Sequence, residues 1–216
     1  MYSPDELRDR NRSQDVSETD PFTEDRYRQF AKLIEPGWSV LDVGCNTGRG
    51  GAALCAAAPS TVLDGMDFLP ERLAEVPRDV YRHLFSAPLA SLLGEDRRYD
   101  AALAGEVLEH IPYSDLDDFL TELMSIVRPG GRILLTTPNP HSWLSRARGR
   151  KVLGGAHVSV HCAESLSQYF TYLGARSCRL LGSGRTSRYL GAKMPSGLYG
   201  SYLLVVETGS PGVSPT

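Results

Sequence analysis

Five short, β-rich apolar runs follow one another along the chain, and helical stretches separate most of them. The runs are 38–43 (WSVLDV), 61–66 (TVLDGM), 80–85 (VYRHLF), 99–104 (YDAALA) and 132–137 (RILLTT). The clearest helices between them are 52–58 (AALCAAA) and 114–127 (SDLDDFLTELMSIV). Strands that alternate with helices imply a parallel sheet covered on both faces. A further helix is expected over 164–173, closed by Gly174, and two last strands over 177–181 and 201–207. This is an α/β chain, and 216 residues are enough for one domain with a proper core.

The ends read differently. SPDEL at 3–7 carries a helix start, with Ser3 as N-cap, Pro4 at the first position and Glu6 three residues after the cap. A second helix from Thr23 places Tyr27, Phe30, Ala31 and Ile34 on one face and stops at Pro36-Gly37. The Gly/Pro/Ser-rich GSPGVSPT at the other end is expected to be disordered.

Open sheets of this kind bind ligands at the carboxyl ends of their strands. The residues to examine are therefore 44–50, 67–68, 86–87, 105–110 and 137–143. The first of these stretches, VLDVGCNTGRG at 40–50, raises the choice between a dinucleotide and a nucleoside. A dinucleotide turn wants G-x-G-x-x-G, with the third glycine letting helix and strand close on the pyrophosphate. Counted from Gly44, this chain has Asn46 and Arg49 at the other two glycine positions. Asp42, ahead of Gly44, suits a cationic ligand better than a pyrophosphate. Asp67 follows the second strand, where a carboxylate can take both hydroxyls of a ribose. A ribose-bearing, cationic, phosphate-free ligand fits these residues together.

Four segments in order resemble the class I S-adenosylmethionine (SAM)-dependent methyltransferases. They are DVGCNTG at 42–48, the acid at 67, YDAALAGEVLEHI at 99–111 and RPGGRILLTTPN at 128–139. The similarity is greatest to the group that methylates small molecules, and it spans roughly 25–207. It implies a single doubly wound, Rossmann-like domain with a seven-stranded, mostly parallel sheet and an antiparallel last strand. An N-terminal helical arm or lid occupies 1–24, acceptor-side loops lie at 138–163 and 182–200, and a tail follows from 208. The implied cofactor is S-adenosyl-L-methionine. Asp42, Gly44, Cys45, Asn46 and Gly48 would surround its methionine portion, Asp67 its ribose and Phe68 its adenine. Ser86 and Ala87 stand where relatives carry an acid for the adenine amino group. Glu106 and His110 would line the cleft, and Tyr27 and Arg28 either reach the cofactor carboxylate or lie on the helix surface.

Methyl transfer from a sulfonium is an in-line displacement, and a hydroxyl acceptor must also lose its proton. That favours histidine as a base and oxygen slightly over nitrogen as the acceptor atom. His141, in TTPNPHSW, and His161 are the candidates; His83 reads as structural. No metal is expected, because His157, His161 and Cys162 lie in a β-prone segment that would not bring them together. SRARGRK at 145–151 is either a solvated loop or a clamp for an anionic group on the acceptor.

The net charge of −3 gives no reason to expect nucleic acid or an anionic membrane as partner. The Asn/Asp-Pro-Pro-aromatic motif of DNA amino-methyltransferases is also missing after the fourth strand. MYSPDELRDRNR lacks the apolar centre of an export signal, and no apolar run approaches the ~20 residues of a membrane span. A cytoplasmic protein with a small-molecule acceptor is expected. Its cysteines, Cys45, Cys55, Cys162 and Cys178, form no C-x-x-C pair and read as buried thiols. The rivals are an N-methyltransferase, an NAD(P)-dependent oxidoreductase and a non-catalytic cofactor-binding module serving a partner. The oligomeric state is open.

Overall fold

Seven strands form one sheet in the order β3-β2-β1-β4-β5-β7-β6. They are β1 (Ser39–Val43), β2 (Val62–Met66), β3 (Leu84–Phe85), β4 (Tyr99–Gly105), β5 (Val127–Pro138), β6 (Ala175–Ser183) and β7 (Ser201–Thr208). The computed structural model describes residues 2–13, 20–94 and 98–209. Strands β1 to β5 pair in parallel, and β7 runs antiparallel between β5 and β6. This is the doubly wound arrangement expected, with its antiparallel last strand.

The helices are α1 (Pro4–Arg12), α2 (Thr23–Ala31), α3 (Arg49–Ala57), α4 (Pro70–Leu73), α5 (Ala90–Leu93), α6 (Leu116–Ile126), α7 (Trp143–Ala147), α8 (Ala163–Tyr172) and α9 (Arg185–Leu190). Alternation along the strands sends side chains to two separate cores. In β4, Ala102 and Ala104 join Leu120 and Leu123 of α6 and Phe170 of α8. Ala101 and Leu103 face the other way, toward Tyr27 and Phe30 of α2 and Leu54 of α3. Helices α2, α3, α6 and α8 thus each present one apolar stripe to one face of the sheet.

Several boundaries depart from the sequence pattern. Helix α2 ends at Ala31, so Ile34 packs from the turn beyond it rather than from the helix. The third strand keeps only Leu84 and Phe85 of the expected 80–85, and His83 lies just ahead of it. The residues before it are committed to side-chain bonds instead. Tyr81 turns inward to Asp42, and Arg82 grips buried Asp64 through Nε at 2.9 Å and Nη2 at 2.7 Å. Burial alone would raise Asp64, but Arg82 and Tyr99 hold it below the usual carboxylate range. Thr208 closes β7, and the tail from 210 onward lies outside the described residues. Among the described residues no helix is long and apolar enough to cross a membrane.

Candidate active site

The turn after β1 is built on left-handed backbone. Gly44, Asn46 and Gly48 have φ of 72°, 50° and 80°. Gly44 also lies against Val107, whose Cγ2 would be 2.6 Å from an added Cβ. The N–H groups of Gly44 and Cys45 both bond the carbonyl of Met66, at 2.9 and 3.0 Å, which fixes the turn to the end of β2. Gly50 and Gly51 serve a different need. An added Cβ would strike the ring of Tyr27 at the first and the hydroxyl of Tyr81 at the second. Those two tyrosines need the room because they reach past α3 to Asp42.

Asp42 is fully buried, and its two oxygens accept from the hydroxyls of Tyr27 and Tyr81, each at 2.7 Å. Burial pushes its pKa up to about 7 against the pull of these two bonds. It does not line the cavity, so the expected contact with the methionine portion is corrected. Asp42 ties α2, β1 and the segment before β3 together beneath the turn. Tyr27 shares that role, and Arg28 is exposed and pairs with Glu24 at 2.8 Å. Tyr27 also lines the cavity, whereas Arg28 does not.

Above the carboxyl ends of the strands lies a cavity of about 660 Å3, within the range of small-molecule sites. Gly44, Cys45, Asn46, Asp67, Phe68, Ala87, Glu106 and His110 all line it. Gly48 and Ser86 do not; Gly48 heads α3 against Val76, and Ser86 faces solvent. The expected Ser86 contact is therefore corrected, and the neighbouring cavity wall is made by Ala87, Pro88 and Leu89. Asp67 takes one backbone N–H on each oxygen, from Asn46 at 3.0 Å and Leu69 at 2.9 Å. Burial raises its pKa, and those N–H groups oppose the rise. The carboxylate keeps further lone pairs for a ligand. Phe68 stands next to it, 41% exposed within the cavity wall.

The opposite end is polar and partly escaped the sequence reading. Arg26, 7% exposed, is held between Asp20 at 3.4 Å and Glu106 at 3.7 Å. Burial works against its charge, but those carboxylates keep its pKa raised. Glu106 follows β4 at a φ of 59° and accepts from Ser201 at 3.2 Å. Glu109 is 1% exposed and accepts from the Thr137 hydroxyl at 2.9 Å. Burial, and then the charge of Glu106, push its pKa well up. His110 stacks edge-on against His157 with ring centroids 5.0 Å apart. Burial and that neighbour lower its pKa to about 4, which leaves it neutral at pH 7. Glu106 and His110 were expected on this wall and Glu109 was not; Glu106 has left-handed backbone ahead of the short turn Leu108–His110, so no helical repeat announces the three together. The approach of His157 was not visible either, since it depends on how the loop folds back.

Neither histidine expected as a base lies in the cavity. His141 is exposed on the turn after β5, where its N–H bonds Asn139 at 2.9 Å. His161 is 5% exposed and uses Nε2 on Ser159 at 2.7 Å and on the Leu108 carbonyl at 3.2 Å. Both expectations are corrected: the first side chain points to solvent and the second holds the loop to the protein. The SRARGRK cations are exposed in and after α7, and none of the described residues of 182–200 lines the cavity. The wall they were expected to supply comes from Tyr2, Leu7, Arg8 and Asn11 around α1.

A sequence-family model described as a methyltransferase domain matches residues 15–176. This chain belongs to the class I SAM-dependent methyltransferases. A ubiquinone biosynthesis O-methyltransferase of Rhizobium etli (strain CIAT 652) is 36% identical over 140 residues, covering 62% of this chain and 50% of that protein. The chain thus spans about half the length of the curated relatives it matches first. A SAM-dependent methyltransferase from Archaeoglobus fulgidus superposes with a TM-score of 0.69 at 18% identity, over 86% of this chain and 92% of that one. Magnesium protoporphyrin IX methyltransferase from Synechocystis PCC 6803, with SAM bound, gives 0.60 at 18% identity, over 86% and 78%. These two likenesses are of fold. With the family established, SAM is the cofactor, and the NAD(P)-dependent oxidoreductase is set aside.

Proposed function

We propose that this methyltransferase transfers the methyl group of SAM to an oxygen of a small molecule. The adenosine would lie along Phe68, Leu69 and Ala87, with its ribose on Asp67. The acceptor would lie at the Glu109–His110–His157 end. The observation that carries this reading is the placement of that polar cluster in the same cavity as Asp67. A hydroxyl there meets groups that can promote the loss of its proton, and an amine would need only to arrive neutral. The cavity's size supports a small acceptor, because cofactor and acceptor must share about 660 Å3. Acidic side chains at this end disfavour a nucleic-acid phosphate. The Rhizobium etli relative, named for O-methylation in ubiquinone biosynthesis, supports the choice of oxygen.

The test is formation of S-adenosylhomocysteine from SAM across panels of phenols, hydroxy acids and amines. Turnover is expected with a hydroxylated acceptor, and His157→Ala should lower it by about 10²–10⁴-fold. His141→Ala should leave it unchanged. Turnover with amines alone, undiminished in His157→Ala, would make the chain an N-methyltransferase. Binding of SAM without turnover on any panel would favour the non-catalytic module.

A further inference from the structure

Glu109 and His110, just beyond β4, meet His157 from the loop ahead of α8. The atoms that the three side chains offer lie within 4.8 Å of one another, and all three residues line the cavity. Each histidine already has one ring nitrogen committed. Nδ1 of His110 meets the carbonyl of Ala156 at 3.1 Å, and Nδ1 of His157 meets that of Val152 at 2.8 Å. A carbonyl only accepts, so both Nδ1 atoms carry the proton and both Nε2 atoms present lone pairs. Backbone carbonyls that fix the tautomer in this way are the usual support of metal-binding histidines. The carboxylate completes the pattern. Oε2 of Glu109 is bonded to Thr137, while Oε1 is buried with no hydrogen-bond partner among the described residues. A buried carboxylate oxygen with no donor is costly unless a cation or a proton meets it.

We propose that Glu109, His110 and His157 bind one divalent first-row transition-metal ion that leaves positions open for oxygens of the acceptor. Two imidazoles and one carboxylate suit such an ion, and three protein ligands with open positions mark a catalytic rather than a structural site. The set differs from the one weighed in the sequence. His161 is turned away onto Ser159, and Cys162 Sγ lies 3.3 Å from the Ser165 hydroxyl.

The ion's chemical role rests on the O-methylation reading; its binding does not. An acceptor hydroxyl on the ion becomes more acidic, and its proton passes to solvent. The resulting oxyanion forms a bond to the methyl carbon as the bond from that carbon to sulfur breaks. SAM leaves as S-adenosylhomocysteine, and the ion does not change oxidation state.

The test uses the full chain without an affinity tag, stripped with a chelator, in the absence of SAM and acceptor. Mn2+ is titrated by electron paramagnetic resonance and Zn2+ by calorimetry. One ion per chain is expected for the wild type. Glu109→Gln and His157→Ala, checked for cooperative thermal unfolding, should each weaken binding by at least about tenfold. His141→Ala, altered at an exposed histidine outside the cavity, should bind like the wild type. Stoichiometric binding of neither ion to the wild type would overturn the proposal. Binding unchanged in both folded cavity variants would overturn it equally. A protein that binds the ion but never methylates oxygen would instead sink the acceptor reading and leave the ion site standing.

Discussion

Asp42 and Asp67 lie on neighbouring strand ends and do opposite work. Asp67 keeps a face toward the cavity, whereas Asp42 is sealed beneath the turn by two tyrosine hydroxyls. Burial holds Asp42 at about 7, against an ordinary carboxylate value near about 4 in the unfolded chain. Between those values the folded state binds the extra proton, so folding stability falls as pH rises and levels off above about 7. The full difference corresponds to on the order of 4 kcal/mol. Asp42→Asn cannot ionise. Its stability relative to the wild type should therefore improve by up to that amount between pH 4.5 and pH 7.5, measured by urea unfolding. Curves that stay parallel over this window would show that Asp42 is not the titrating group. The contrast between the two acids was hidden in the sequence. It depends on Tyr81, which arrives from a segment that looked like strand, and on two glycines that give the tyrosines their space. Gly44 and Asp67 were legible because backbone angle and strand order alone decide their positions.

At the scale of elements, α1 is the piece whose role the sequence only partly announced. Its capping box is present as read, with the Ser3 N–H bonding Glu6 at 2.7 Å and the Glu6 N–H bonding Ser3 at 3.2 Å. Its position comes from contacts far along the chain. Arg10 donates to the Gly155 carbonyl at 2.8 Å, and Arg12 pairs with Glu71, beyond Asp67. The helix is thus strapped across the cavity, with Leu7, Arg8 and Asn11 as part of its wall. None of its described side chains joins either core. Exposed ion pairs of this kind contribute only ~0–1 kcal/mol each, so the strap can open. Removing residues 1–13 is expected to leave the unfolding midpoint nearly unchanged and to speed SAM dissociation by about tenfold or more. Stopped-flow displacement of bound SAM measures that rate, and an unaltered rate would mean that α1 does not close the site. The 182–200 segment, read as an acceptor loop, shows the converse failure. Tyr199 serves the segment's own packing, buried with its hydroxyl bonded to the Gly191 carbonyl at 2.9 Å, whereas Tyr189 is exposed.

For the whole molecule, the alternation of apolar runs was enough to give a parallel sheet covered on both faces and the edge at which ligands gather, and the family resemblance added the antiparallel last strand. Parallel strands place every carboxyl end on one side, and the cavity lies there. What the alternation could not give is which loop folds over that edge. His157 comes in and His141 points out because of turns within 138–163 that have no period to read. The same folding-back turned the expected catalytic pair into surface and scaffold, and gathered Glu109, His110 and His157 instead. The most direct test of this account is calorimetric titration of the chain with SAM, S-adenosylhomocysteine and NADH, repeated on Asp67→Ala. Binding of the first two, none of NADH, and at least about a tenfold loss in the variant is the predicted result, since charged hydrogen bonds contribute ~1.5–3 kcal/mol each. Binding of NADH, or SAM affinity untouched in Asp67→Ala, would contradict it.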